Sequence, residues 1–160
     1  MMLVDTLMKS LKPNSVGGSP EFNNYIDSIL ENLTLKIGDS KSATKTLAED
    51  AFYFFTDFRD VGVQKVAETL LRSNGVPKSI NDNKRKKARL DMLARMAEDY
   101  GIDGPNIPLA RTVDFAKKEL ENPAQEVRES AHNLILHFMK ALGLERIEPM
   151  LDGKFFILLR

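Results

Sequence analysis

Residues 122–143 read NPAQEVRESAHNLILHFMKALG. Apolar side chains recur at Val127, Ala131, Leu134, Ile135, Phe138 and Leu142. That spacing lays one stripe along one face of a helix. Asn122-Pro123 opens the segment, and Pro123 suits a first helical position, where an N–H would be unpaired anyway. Gly143 closes it, as a glycine just past a helix end should. Arg128 stands beside Val127, one turn in.

An earlier stretch, residues 39–58, has the same plan: DSKSATKTLAEDAFYFFTDF. With Asp39 set on Asn122, 83 residues away, Thr44 falls on Val127 and Lys45 on Arg128. Ala48 then meets Ala131, Ala51 meets Leu134, Phe52 meets Ile135 and Phe55 meets Phe138. The offset is about twice the forty-odd period of a two-helix repeat, so a third copy belongs halfway between. Residues 84–101, KRKKARLDMLARMAEDYG, supply it, with Lys87, Leu90, Leu93, Ala94 and Ala97 in the matching places.

Each of these helices follows another amphipathic segment. Residues 22–37 carry Ile26, Ile29, Leu30, Leu33 and Ile37 on one face. Residues 61–71 carry Val63, Val66, Ala67 and Leu70, and residues 109–120 carry Val113, Ala116 and Leu120. The unit is helix A, tight turn, helix B. One unit cannot bury its apolar faces, whereas stacked neighbours can.

This arrangement of helix A, an Asp or Asn turn with Ser or Pro, a basic residue, then Ala and Leu resembles the HEAT repeat. The wording GDSKSATKTLAEDAF (38–52) and LENPAQEVRESAHNLI (120–135) is similar to the TOG domain of a ciliary-tip centrosomal protein family. The likeness covers roughly residues 21–150. It implies an all-α, HEAT/armadillo-like right-handed superhelical solenoid of antiparallel helix pairs, with the A–B turns along one edge. It also implies tubulin as partner and a cytoplasmic, cytoskeletal setting at the cilium, centrosome or basal body. The array then runs over residues 21–151, preceded by a helix or cap at 1–12 and a loop at 13–20, and followed by an apolar tail at 152–160.

Composition sets bounds on this reading. Apolar residues make up 42% of the 160 and charged residues 29%, ordinary for a helical domain with a real core. The 23 basic and 23 acidic residues cancel, so neither nucleic acid nor membrane is expected as a partner. There is no cysteine, which removes disulfides, thiol catalysis and cysteine zinc sites. His132 and His137 lie five apart, about 140° around a helix, so they do not converge on a metal. No P-loop, GxGxxG, Gly-x-Ser-x-Gly or HExxH occurs, and no cofactor or enzymatic activity is expected.

Charge is uneven locally. Between residues 72 and 89 stand Arg72, Lys78, Lys84, Arg85, Lys86, Lys87 and Arg89 against one acid, Asp82. Basic residues at a helix start oppose the helix dipole. The run is either a binding patch or a solvated face. Lys84 to Lys87 precede the first inward residues, Ala88 and Leu90, so the core is not expected to need them. The expected tubulin-binding edge comprises Lys41 and Lys45 in turn one, Lys84, Arg85, Lys86 and Lys87 in turn two, and Gln125 and Arg128 in turn three. For Arg128, and for Lys45 and Lys87 with it, the competing role that the HEAT resemblance implies is bracing the turn of its own or the next repeat. The alternative function is a general protein-interaction scaffold that does not bind tubulin.

The ends complete the reading. Leu3, Val4, Leu7, Met8 and Leu11 form a stripe interrupted by Asp5, Lys9 and Lys12, as in a last helix of an earlier repeat or a cap. Phe52 and Phe55 are expected inside, with Phe54 and Phe58 against a neighbouring repeat. Residues 145–151 read as the start of a further helix A. The run Phe155 to Leu159 must fold back, mediate self-association, or mark a chain cut from a longer one.

Overall fold

The computed structural model describes residues 19–72, 82–102 and 106–151. The expectations for residues 1–18, the Asn74-Gly75 break, Lys78 and the tail at 152–160 lie outside them. The described residues form α1 (Pro20–Lys36), α2 (Ser42–Thr56), α3 (Gly62–Leu71), α4 (Asp82–Tyr100), α5 (Leu109–Glu119), α6 (Gln125–Leu142) and α7 (Leu144–Ile147). A 3-10 turn, Glu148–Met150, follows, and no strand occurs among the described residues. Helices pair as α1–α2, α3–α4 and α5–α6, the helix-pair stack of a HEAT-repeat solenoid.

Starts and stops follow local chemistry. The Ser19 side chain accepts from the Phe22 N–H at 3.2 Å, and Pro20 is the first residue of α1, where its missing donor is harmless. The helix therefore begins inside what the composition marks as loop. Two turns share one device: Asp39 Oδ1 accepts from the Lys41 N–H and Asn122 Oδ1 from the Ala124 N–H, both at 2.9 Å. Such Asx turns redirect the backbone just ahead of a helix. α2 and α6 then start at Ser42 and Gln125, again 83 apart. Pro123 thus lies in the turn, ahead of the Ala124 cap, and not at the first helical position. Gly143 ends α6 with φ of +86°, a conformation that costs other residues.

One apolar core runs through all three pairs. Ala48, Leu90 and Ala131 are buried at one repeat position, and Phe55, Ala97 and Phe138 at another. The repeat register therefore holds in all three copies, although α4 begins at Asp82, two residues before the expected start. Buried threonines satisfy themselves: Thr34, Thr69 and Thr112 donate to the carbonyls four residues back, at 2.9, 2.9 and 3.0 Å. Phe52 and Phe55 are inside as expected. Phe58 packs on the core, and Phe54 is exposed and stacks on Phe58. At the far end, residues 145–151 make only α7 and the 3-10 turn, whose Ile147 and Leu151 are buried.

The seams between pairs differ. Among the described helices, α4 and α6 make the most extensive contact. α1 and α3 also touch, strapped by Lys65 to Asp27 at 3.3 Å and to Asn23 at 3.2 Å. α2 and α4 are bridged mainly by long side chains. Tyr100 bonds Thr56 at 2.7 Å and Asp57 at 3.2 Å, and Arg95 reaches Glu49 at 3.6 Å while covering the Tyr53 ring at 5.0 Å.

Candidate functional site

The turn of the first pair, the start of α4 and the turn of the third pair are neighbours, cross-linked by side chains. Lys84 Nζ donates to Ser40 Oγ at 3.3 Å, joining α4 to turn one. Arg85 is buried, with its chain against Gly38. A Cβ at Gly38 would meet Arg85 Cγ at 2.1 Å and its backbone N at 2.7 Å, so only glycine permits this approach. The Arg85 guanidinium pairs with Asp82 at 3.6 Å. Lys86 Nζ reaches Asp82 at 3.7 Å and Glu119 at 3.2 Å, joining α4 to turn three. Glu119, only 7% exposed, also accepts from Asn122 Nδ2 at 2.7 Å. Arg128 donates to the Asn122 and Pro123 carbonyls at 2.8 and 2.9 Å.

These contacts divide the expected edge residues into two groups. Arg85, Lys86 and Arg128 hold the edge together. Arg128 braces its own turn, as its repeat position suggests, whereas Lys45 pairs with Glu49 at 3.6 Å and Lys87 with Asp91 at 2.5 Å. Both of those are pairs one helical turn apart. Gln125 likewise bonds Glu129 at 2.7 Å. Lys41, Lys84 and Gln125 are exposed, and Lys45 and Lys87 are half-exposed.

The expectation that the core does not need Lys84 to Lys87 is corrected at Arg85. α4 starts early enough, and passes close enough to turn one, to bury that residue. The basic run is also largely spent internally. Arg72 reaches Asp27 at 3.7 Å and Glu31 at 3.9 Å. Arg89 donates to the Leu70 carbonyl and, at 2.8 Å, to that of Arg72, closing the end of α3. Its guanidinium lies 4.6 Å above the Phe115 ring. Burial pulls the Arg89 pKa down to about 10, with Glu119 and Asp82 opposing. An arginine inside an apolar and carbonyl-lined site serves by its hydrogen bonds, not by a field at the surface.

Sequence reasoning missed Glu119, Ser40 and Gly38. Glu119 did carry a signal. It stands in the last turn of α5, where an acid opposes the helix dipole and needs a cation partner. Nothing in the sequence marked Gly38 or Ser40 as a contact of α4.

The histidines do not form a site. His137 Nδ1 lies 3.5 Å from Glu98, and His132 is half-buried on another side of α6. Among the described residues no group of three or more His, Asp or Glu is placed to hold a metal ion. No described helix is long and apolar enough to cross a membrane.

No protein-family model matches the chain. It is 27% identical over 121 residues to the centrosomal protein of 104 kDa of Rattus norvegicus, and 23% identical over 153 residues to that of Mus musculus. These alignments cover 73% and 93% of this chain but only 13% and 16% of those proteins. Among solved structures, the TOG domain of human Cep104 superimposes with a TM-score of 0.80 at 18% identity, covering 99% of this chain and 63% of that one. The chain therefore has the HEAT-repeat fold of a TOG domain and resembles that of a centrosomal protein.

Proposed function

We propose that this chain is a non-enzymatic, tubulin-binding module of TOG type that acts at the cilium or centrosome and presents its turn edge to the partner. The observation that carries the reading is the cross-linked edge itself. Arg85 packed on Gly38 and Lys86 bridged to Glu119 hold turn one, the start of α4 and turn three together, with an exposed Lys84–Ser40 bond at the surface. A surface locked in this way loses little conformational entropy on binding. Lys41 and Lys84 are the exposed cations of this edge, with Lys45 and Lys87 beside them and Gln125 at its far end. Tubulin is strongly acidic, so such an edge steers the encounter. The resemblance to the TOG domain supplies the identity of the partner.

The test is tubulin binding by the Lys41→Glu/Lys84→Glu double variant. Both residues are exposed, so folding should be spared. Binding should fall by about tenfold or more, mainly in the association rate, and parental binding should weaken steeply with salt. Unchanged binding by the variant would remove the edge from the interface.

A second reading, a general protein scaffold, draws on the internal engagement of Arg72, Arg85, Lys86 and Arg89, which leaves the edge less charged than the sequence suggests. On that reading binding to any partner is insensitive to salt and to both substitutions.

A further inference from the structure

The outward surface of the first helix pair is apolar and open. α1 and α2 hold a groove of about 640 Å³ between them. Leu33 of α1 lines it, with Ala51, Phe54 and the 57% exposed Leu47 of α2. Every lining residue belongs to α1, to α2 or to the position just after α2, so among the described residues no further helix covers it. An apolar groove of this kind marks an interaction surface.

Charge on the groove is divided between its flanks. Around α2, Leu47, Ala51 and Phe54 make one stripe. Asp50 and Asp57 fall roughly 80° to one side of it, and the buried Ala48 and Phe55 roughly 80° to the other. α1 closes the Ala48 side with Leu33 and Lys36. One flank is therefore cationic and belongs to α1; the other is acidic and belongs to α2. Lys36 and Asp50 are exposed and, among the described residues, have no ion-pair partner. Asp57 is exposed too and accepts from the Tyr100 hydroxyl at 3.2 Å.

We propose that the occupant of this groove is a second copy of the same chain, docked face to face about a two-fold axis that runs along the groove. Such an axis lays α1 of each copy on α2 of the other. The four helices then form a bundle in which neighbours are antiparallel, because α1 and α2 are joined by the short connection 37–41. Lys36 of each copy meets Asp50 of the other, and the contact is made twice, as a self-complementary interface requires. A two-fold axis across the groove would instead set α2 on α2 and bring Asp50, near the middle of that helix, against its own image. Charge order thus selects the lengthwise axis. The apolar stripe supplies affinity and the charges fix register. The face is roughly 20 Å wide and 22 Å long, small against the standard interface of about 800 Å² per partner, so the dimer is weak and reversible.

The test is sedimentation equilibrium of the full chain with exchanged charges. The parent should show a reversible monomer–dimer equilibrium. Lys36→Asp alone and Asp50→Lys alone should each weaken dimerisation about tenfold or more, since each sets like charges together twice. An equimolar mixture of the two variants should recover it, because the mixed dimer pairs unlike charges at both contacts. That recovery also shows both variants to be folded. A parent that stays monomeric up to about 0.5 mM would overturn the proposal and leave the groove to another occupant. A dimer indifferent to both variants would move self-association to another surface and overturn it as well, as would a mixture no better than its parts. The absence of cysteine allows a second reading. Under mild oxidation, Leu33→Cys mixed with Leu47→Cys should give the mixed disulfide dimer in preference to either self-linked one. A statistical distribution of the three products would sink the lengthwise axis.

Discussion

The α4–α6 and α2–α4 seams join equivalent helices of successive repeats, yet they are built from different materials. α4 and α6 lie against each other along much of their length, and most of their buried residues are apolar, among them Leu90, Leu93 and Met96 on one and Val127, Leu134 and Phe138 on the other. α2 and α4 meet through the Tyr100–Thr56–Asp57 cluster and through Arg95 with Glu49 and Tyr53. The first kind of contact scales with apolar area removed from water; the second is limited to net hydrogen-bond and cation–π terms of about 1 kcal/mol each. The wet seam has a titration signature too. Burial pushes the Tyr53 phenol up to about 12, and Arg95 pulls it the other way. A solenoid can thus keep one repeat plan while changing how firmly each pair is held. The first pair compensates through its turn, where Gly38 admits Arg85.

The largest expected effect comes from breaking the dry seam. Phe138→Ala should cost about 3–5 kcal/mol in chemical denaturation, the range for emptying a buried aromatic position. A loss below about 1 kcal/mol would mean that this face of α6 is not packed as described. Next comes the turn contact. Gly38→Ala forces a methyl into Arg85 and should cost about 1–3 kcal/mol, as overpacking does. If the first pair is held mainly there, this variant should raise hydrogen exchange in α1 and α2 more than in α6. A uniform rise would make the two seams one cooperative unit.

Smaller effects sharpen the contrast. Lys86→Ala removes the lysine bridge from the buried Glu119, which keeps its bond from Asn122, and should cost about 1–2 kcal/mol by denaturation. A cost near zero would make the Lys86 bridge incidental. Tyr100→Phe removes the hydroxyl that ties α2 to α4, and about 0.5–1.5 kcal/mol is expected, since only one shared hydrogen-bond node is lost. If it matches Phe138→Ala, the polar seam is as strong as the apolar one and the comparison fails. The smallest is Lys41→Glu/Lys84→Glu, whose thermal stability should stay within about 0.5 kcal/mol of the parent, as for exposed positions generally. That variant separates binding from folding.

The amino-acid sequence by itself determined the repeats. Apolar spacing at 3.6 residues, two turn residues 83 apart and glycines after helices are local signals, and each is decided within one or two turns of chain. Hence the helix pairs, the buried Phe55 and Phe138 and the Arg128 brace were legible before any coordinates. Tertiary structure alone decided which of the basic residues face solvent. Arg85 and Arg89 read as surface charge because no sequence rule says which carbonyls or acids will stand opposite. Gly38, Glu119 and the Leu70 carbonyl come within reach only when separate repeats stack. The same holds for the seams. Facing positions of α2, α4 and α6 are set by the rotation between repeats, a quantity that depends on side-chain volumes from several helices at once.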